Sequence, residues 1–90
     1  MRIKLYGPIS QAYRLRVPLE VVVEPHPSGV LARVLDFGIE VIGESTADVL
    51  TKTRYVLTEY FDWLRTYKPA PTPGMRAEIA RLASVIDTER

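Results

Sequence analysis

Few residues in this chain of 90 are of a type and spacing that could carry out a reaction. There is no cysteine, which removes disulfides, thiolate metal sites and cysteine nucleophiles. The single histidine, His26, lies in the turn Pro25-His26-Pro27-Ser28-Gly29, with no serine–aspartate pair at a recognisable spacing. A general base needs an orienting acceptor and an exposed nucleophile, so His26 reads as a turn residue. Metal-dependent nuclease chemistry needs three or four carboxylates converging on two ions. Here Glu20, Glu24 and Glu40 alternate with apolar residues, and the other acids fall in turns or on a helix. Gly38 and Gly43 punctuate strands and do not form a phosphate loop. No catalytic residue, metal site or cofactor is expected, and the chain reads as a non-enzyme.

Binding offers more. Twelve basic and eleven acidic residues leave a net charge of +1, which is no general nucleic-acid footprint. The charges are nevertheless segregated. Residues 1–19 hold Arg2, Lys4, Arg14 and Arg16 and no acid, whereas residues 20–51 hold six acids against Arg33 alone. The basic set, with Tyr6 and Tyr13 for base stacking, is the candidate nucleic-acid surface. Charge on edge strands also serves simply to block aggregation. The acidic set, represented by Glu40, Glu44 and Asp48, suits a basic protein partner. Its plainer role is cross-strand neutralisation within the fold.

The elements that must position these residues follow from periodicity. Met1 to Tyr6 alternates apolar and polar residues, as a half-buried strand does. Whether residues 1–12 join the main sheet is left open at this point. Tyr13, Leu15, Val17, Leu19, Val21 and Val23 share one face of a second strand. Pro18 within it cannot donate a ladder bond and implies an edge, a bulge or a break. Val30–Leu35 and Ile39–Ile42 continue an antiparallel meander. Ser45-Thr46-Ala47-Asp48 approximates a capping box. It opens an amphipathic helix expected over 46–67, with Val49, Leu50, Thr53, Val56, Leu57, Tyr60, Phe61 and Leu64 as its apolar stripe. Arg54, Tyr55, Asp62 and Arg65 are expected to face solvent.

Three prolines between Lys68 and Pro73 forbid helix and favour a stiff extended linker. Thr72 and Pro73 then suit the N-cap and first position of a final helix. The expected division is an α+β domain over 1–68, a linker over 69–73 and a C-terminal helix over 74–90. The sheet is small and antiparallel, of three to four strands, with one long helix packed on it. A chain this short has a thin core, and Met75, Ile79, Leu82 and Ile86 form an apolar stripe needing cover. That stripe covers its own sheet or another chain. Exposed aromatics such as Tyr55 and Trp63 are enriched at interfaces. A homo-oligomer is expected, with the C-terminal helix reaching across on its linker. No apolar run approaches the roughly 18 residues of a membrane span, so a cytoplasmic, membrane-free protein is expected.

Residues 19–65, 47 of the 90, resemble the HicB-like family of toxin–antitoxin proteins. The matching features are Leu19-Glu20-Val21-Val22-Val23-Glu24, a polar turn ending at Gly29, and Val30-Leu31-Ala32-Arg33-Val34. The phrase Leu35-Asp36-Phe37-Gly38-Ile39, a short strand, Gly43-Glu44-Ser45 and a long amphipathic helix complete the pattern. Leu35 stands where the family usually has proline. The resemblance implies a partial ribonuclease H-like fold and an antitoxin that silences a small basic RNA-cleaving toxin. It also implies, in many members, a C-terminal DNA-binding module. Residues 74–90 offer 17 positions, room for one helix, so DNA binding is not expected.

Overall fold

The computed structural model describes residues 1–67 and 72–88. The chain is α+β, a five-stranded antiparallel sheet with two helices. Strand β1 spans Arg2–Pro8, β2 Tyr13–His26, β3 Gly29–Val34, β4 Ile39–Gly43 and β5 Ile86–Thr88. Helix α1 spans Thr46–Arg65 and α2 Pro73–Val85. The order across the sheet is β1-β2-β3-β4, with β5 pairing to β2 at Tyr13–Leu15.

The long strand β2 organises everything. Its C-terminal half pairs with β1 and β3, and its N-terminal end with β1 and β5. Between the pairs Leu5↔Leu19 and Gly7↔Leu15, β2 has three residues where β1 has one. Arg16, Val17 and Pro18 bulge out there, exposed. A residue with no N–H to donate thus sits where no ladder bond is asked of it. Residues 1–12 accordingly join the sheet through β1.

Alternation then sorts side chains to two sides. Leu5, Leu19, Val21, Ala32, Val34 and Val41 face the helices and are buried. Val49, Thr53, Leu57, Phe61 and Leu64 of α1 fill the same core. Thr53 is buried there because its hydroxyl donates to Val49 O at 2.7 Å, which satisfies the polar atom locally. Val34 leads into a short 3-10 turn at Leu35–Phe37, closed by Gly38 at φ 65°.

Ser45 caps α1 by accepting from Asp48 N, and Asp48 Oδ2 accepts from Glu44 N at 2.8 Å. Gly43 just before this cap is a close approach. A Cβ added there would lie 2.8 Å from Val49 N and Cα, backbone atoms that cannot swing aside. Thr72 caps α2 by accepting from Met75 N at 3.1 Å, with Pro73 at its first turn. Lys68–Pro71 of the expected linker lie outside the described residues.

The C-terminal helix departs from expectation. It ends at Val85, and Ile86 takes extended dihedrals and starts β5. Leu82 and Ile86 are 0% and 2% exposed, inside this chain's own core. They are not surface left over for a second copy, because α2 folds back beside α1 and β5 anchors it to β2. Met75 and Ile79 are half-buried and pack on the same core. Of the stripe assigned to an oligomer, no residue is fully exposed.

Candidate partner-binding surface

Glu40 stands on β4, Glu44 in the turn that follows it, and Asp48 in the first turn of α1. The three acids follow one another along the passage from β4 into α1, but Glu40 lies four residues before Glu44, on the open side with Arg33, whereas Asp48 turns to the helix cap beside Gly43. Their environments differ. Glu40 Oε2 lies 3.3 Å from Arg33 Nε, and Arg33 also reaches Glu24 Oε1 at 3.3 Å. Asp48 holds the helix cap described above and pairs with Lys52 Nζ at 3.2 Å. The Glu44 backbone N–H donated to its carboxylate, together with the Lys52 ammonium, holds Asp48 below the usual aspartate range. Glu44 has an exposed side chain and makes no ion pair with another described residue. Of the three, it is the carboxylate whose charge is directed outward.

The basic candidates lie on the open side of the sheet, opposite the helices. Arg2 Nη1 donates to Glu20 Oε2 at 2.7 Å across the β1–β2 pair, which lowers the Glu20 pKa. Arg16 stands 3.6 Å from Asp87 of β5. Lys4 faces the same Glu20, and Arg14 sits opposite Asp87 in register. The open side is thus a lattice of alternating charge. Segregation along the chain becomes neutralisation across the sheet, which is the plainer of the two readings of the sequence. These four residues do not form a bare positive groove for phosphates.

The aromatic candidates fare differently. Tyr55 is 64% and Trp63 53% exposed. With Glu59 and Tyr67 they recur every fourth residue along the outer side of α1 and its end. Trp63 and Tyr67 touch, ring centres 5.2 Å apart. Side chains at such spacing are neighbours on a helix, so Trp63 and Tyr67 form an exposed aromatic pair, with the charged Glu59 between it and Tyr55.

Sequence reasoning missed the contacts made by the polar residues of α1. Arg54 Nη1 donates to Tyr6 O at 3.1 Å and Pro8 O at 2.7 Å. Thr58 donates to Ile9 O at 3.2 Å. The Tyr13 hydroxyl donates to Asp62, and Arg65 Nη1 donates to the Tyr13 hydroxyl at 3.2 Å. The Asp62 bond, burial and the Asp62 charge raise the Tyr13 pKa against the opposing Arg65. Arg65 also covers the Phe61 ring at 5.4 Å. Residues expected to meet only water instead fasten the β1–β2 connection to the helix.

A shallow cleft of about 420 Å³ lies beside this fastening, lined by Ile9, Thr51, Arg54, Tyr55, Thr58 and Glu59. The polar tips of Arg54 and Thr58 are already engaged there by backbone carbonyls. His26 accepts from Ser28 N through Nδ1 at 3.0 Å, as a turn residue does. Among the described residues, no three His, Asp or Glu side chains are placed to hold a metal ion. No described helix is long and apolar enough to cross a membrane. No protein-family model matches the chain, and neither a curated protein nor a solved structure is found similar to it.

Proposed function

We propose that this chain is a non-enzymatic, HicB-like antitoxin-type module that binds and neutralises a small basic RNA-cleaving toxin. The observation that carries the reading is the arrangement of residues 19–65. Three consecutive antiparallel strands are followed by one long helix laid across them, the arrangement that the resemblance implies. The turn from β4 into α1 presents Glu44 at the surface, and Glu40 is exposed four residues earlier on β4. The acids of this passage would cover the cationic RNA-binding surface of the toxin, and long-range attraction would steer the encounter. Inhibition on this reading is steric, and no residue of this chain transforms a substrate.

The experiment is a tagged pull-down from the native host, with intact-mass analysis under non-denaturing conditions. A stoichiometric small basic partner that cleaves RNA once separated, and stops when this protein is returned, supports the reading. Complexes of this chain with itself alone, under several growth conditions, overturn it. Glu44→Lys then tests the docking corner, since Glu44 makes no side-chain ion pair with another described residue. It should slow association and flatten its salt dependence, whereas unchanged kinetics move the interface elsewhere.

The second reading is a stand-alone homo-oligomer serving as a scaffold. The exposed Trp63–Tyr67 pair, with Tyr55 further along α1, favours it, because large aromatics outside the core are enriched at interfaces.

A further inference from the structure

The sheet is finished differently at its two edges. At the β1 edge, Arg2 and Lys4 supply charge, Pro8 lacks an N–H, and the Arg54 guanidinium occupies the carbonyls of Tyr6 and Pro8. Charge, proline and covering side chains are the devices by which sheets resist pairing with other chains. The β4 edge has no proline and no described side chain bonded to its backbone carbonyls, and its one charge is an acid. Ile39–Gly43 reads Ile-Glu-Val-Ile-Gly and pairs with β3 in unbroken register. It contains no basic residue, and its acid is matched by Arg33. Ile42, on the open side, is 45% exposed. Among the described residues no strand lies beyond it.

We propose that β4 pairs antiparallel with β4 of a second copy of this chain, with Val41 opposite Val41, so that two sheets run together as one. Symmetry and charge select the register. In a two-fold pairing of this kind, facing residues point to the same side of the sheet. A residue therefore meets itself or one an even number of places away. Centred on Glu40, the pairing sets two carboxylates face to face. Centred on Ile42, it sets Glu40 against Glu44. Like charges directly opposite are unfavourable in an antiparallel pair. Centred on Val41, Glu40 meets Ile42 and Ile39 meets Gly43, and no acids oppose one another. Centres nearer either end leave much of this five-residue strand unpaired. Edges this short belong to the weak class of interface, so monomer and dimer exchange with concentration. The pairing does not depend on whether a toxin exists.

Sedimentation equilibrium of the full chain over a wide concentration range tests it, with Ile42 changed to each sign of charge. Ile42→Glu places a carboxylate opposite the partner copy's Glu40 at two symmetric positions, and the dimer should weaken. Ile42→Lys places an ammonium there, and the dimer should tighten. Each shift is expected to be roughly 2- to 30-fold in dimer Kd, two cross-strand pairs being affected. Opposite shifts from one exposed position cannot arise from loss of the fold. A chain that stays monomeric at every concentration overturns the proposal. So does a dimer that both variants move alike or leave unmoved, or one that Trp63→Ala dissolves.

Discussion

On the helix-covered side of the sheet, Leu5, Leu19, Val21 and Ala32 lose nearly all contact with water. On the open side, residues of the same strands, one position along, meet as Arg2 with Glu20 and as Arg33 with Glu24 and Glu40. Both sides are highly ordered in pattern, yet the physics differs. Apolar contact is non-directional and scales with area, at about 25 cal/mol per Å² buried. Exposed ion pairs contribute about 0–1 kcal/mol each. The helix side therefore holds the fold, while the open side sets register, solubility and the choice of neighbours. A feature on the open side can change without unfolding the protein, which makes it the side on which partner choice can vary.

The comparison is broken most forcefully at Leu82. Leu82→Ala should cost about 2–5 kcal/mol in chemical denaturation, as buried leucines do. In the Ile42→Glu background, where the proposed β4 pairing is weakened, the midpoint should not depend on protein concentration if α2 packs on its own sheet, and it should if α2 is exchanged between copies. Gly43→Ala comes next, at about 1–3 kcal/mol, because the added methyl meets the backbone of Val49 at 2.8 Å. A smaller loss at this position, measured the same way, would mean that the start of α1 slides away from β4.

Ser45→Ala should cost about 0.5–2 kcal/mol by removing the acceptor for Asp48 N. The same cap gives a pH signature. Asp48 and Glu20 have native pKa values below their ordinary ones. Their contribution is present above the ordinary carboxylate range and is lost as pH falls through the lower native values. Asp48→Asn should flatten the acid limb of stability against pH, and an unaltered limb would place the effect on other carboxylates. The smallest expected effect is Arg33→Gln on the open side, within about 1 kcal/mol. A cost as large as that of Leu82→Ala would erase the distinction between the two sides.

Much of this architecture is legible in the sequence because its causes are local. Alternation from Leu19 to Val23 and the capping pattern Ser45-x-x-Asp48 each depend on neighbours a few residues apart, whereas Val17, expected on the same inner face, is exposed in the bulge. Even Pro18 announces a defect in the strand, since a missing N–H must be accommodated wherever the residue falls. What is not legible depends on distant partners. Val85 and Ile86 satisfy a helical stripe and a strand equally well. Only the presence of Tyr13–Leu15 at the end of α2 turns Ile86 into a strand residue. The acidic residues show the same split. Glu40, Glu44 and Asp48 are expected as one partner-facing set because they belong to one short strand–turn–helix passage. That Arg33 and Lys52 answer two of them requires the cross-strand register and the helix pitch together. Helix periodicity alone turns Arg54 and Asp62 to solvent, because it holds no information that the β1–β2 connection lies over that side.

The position of β5 has a consequence for how the chain acquires its structure. The strands β2, β3 and β4 and the helix α1 form from contacts between consecutive segments, which low contact order makes fast. Pairing Thr88 with Tyr13 joins the two ends of the described chain. Closing so large a loop carries an entropic cost that grows with the logarithm of its length. During synthesis, the N-terminal end of β2 stands with β1 on one flank and without its β5 neighbour on the other until residues 86–88 emerge. Of the described strands, β5 is thus the one that completes the sheet, and removing the pairing of residues 86–88 should slow or abolish that step of folding while the meander and α1 still form.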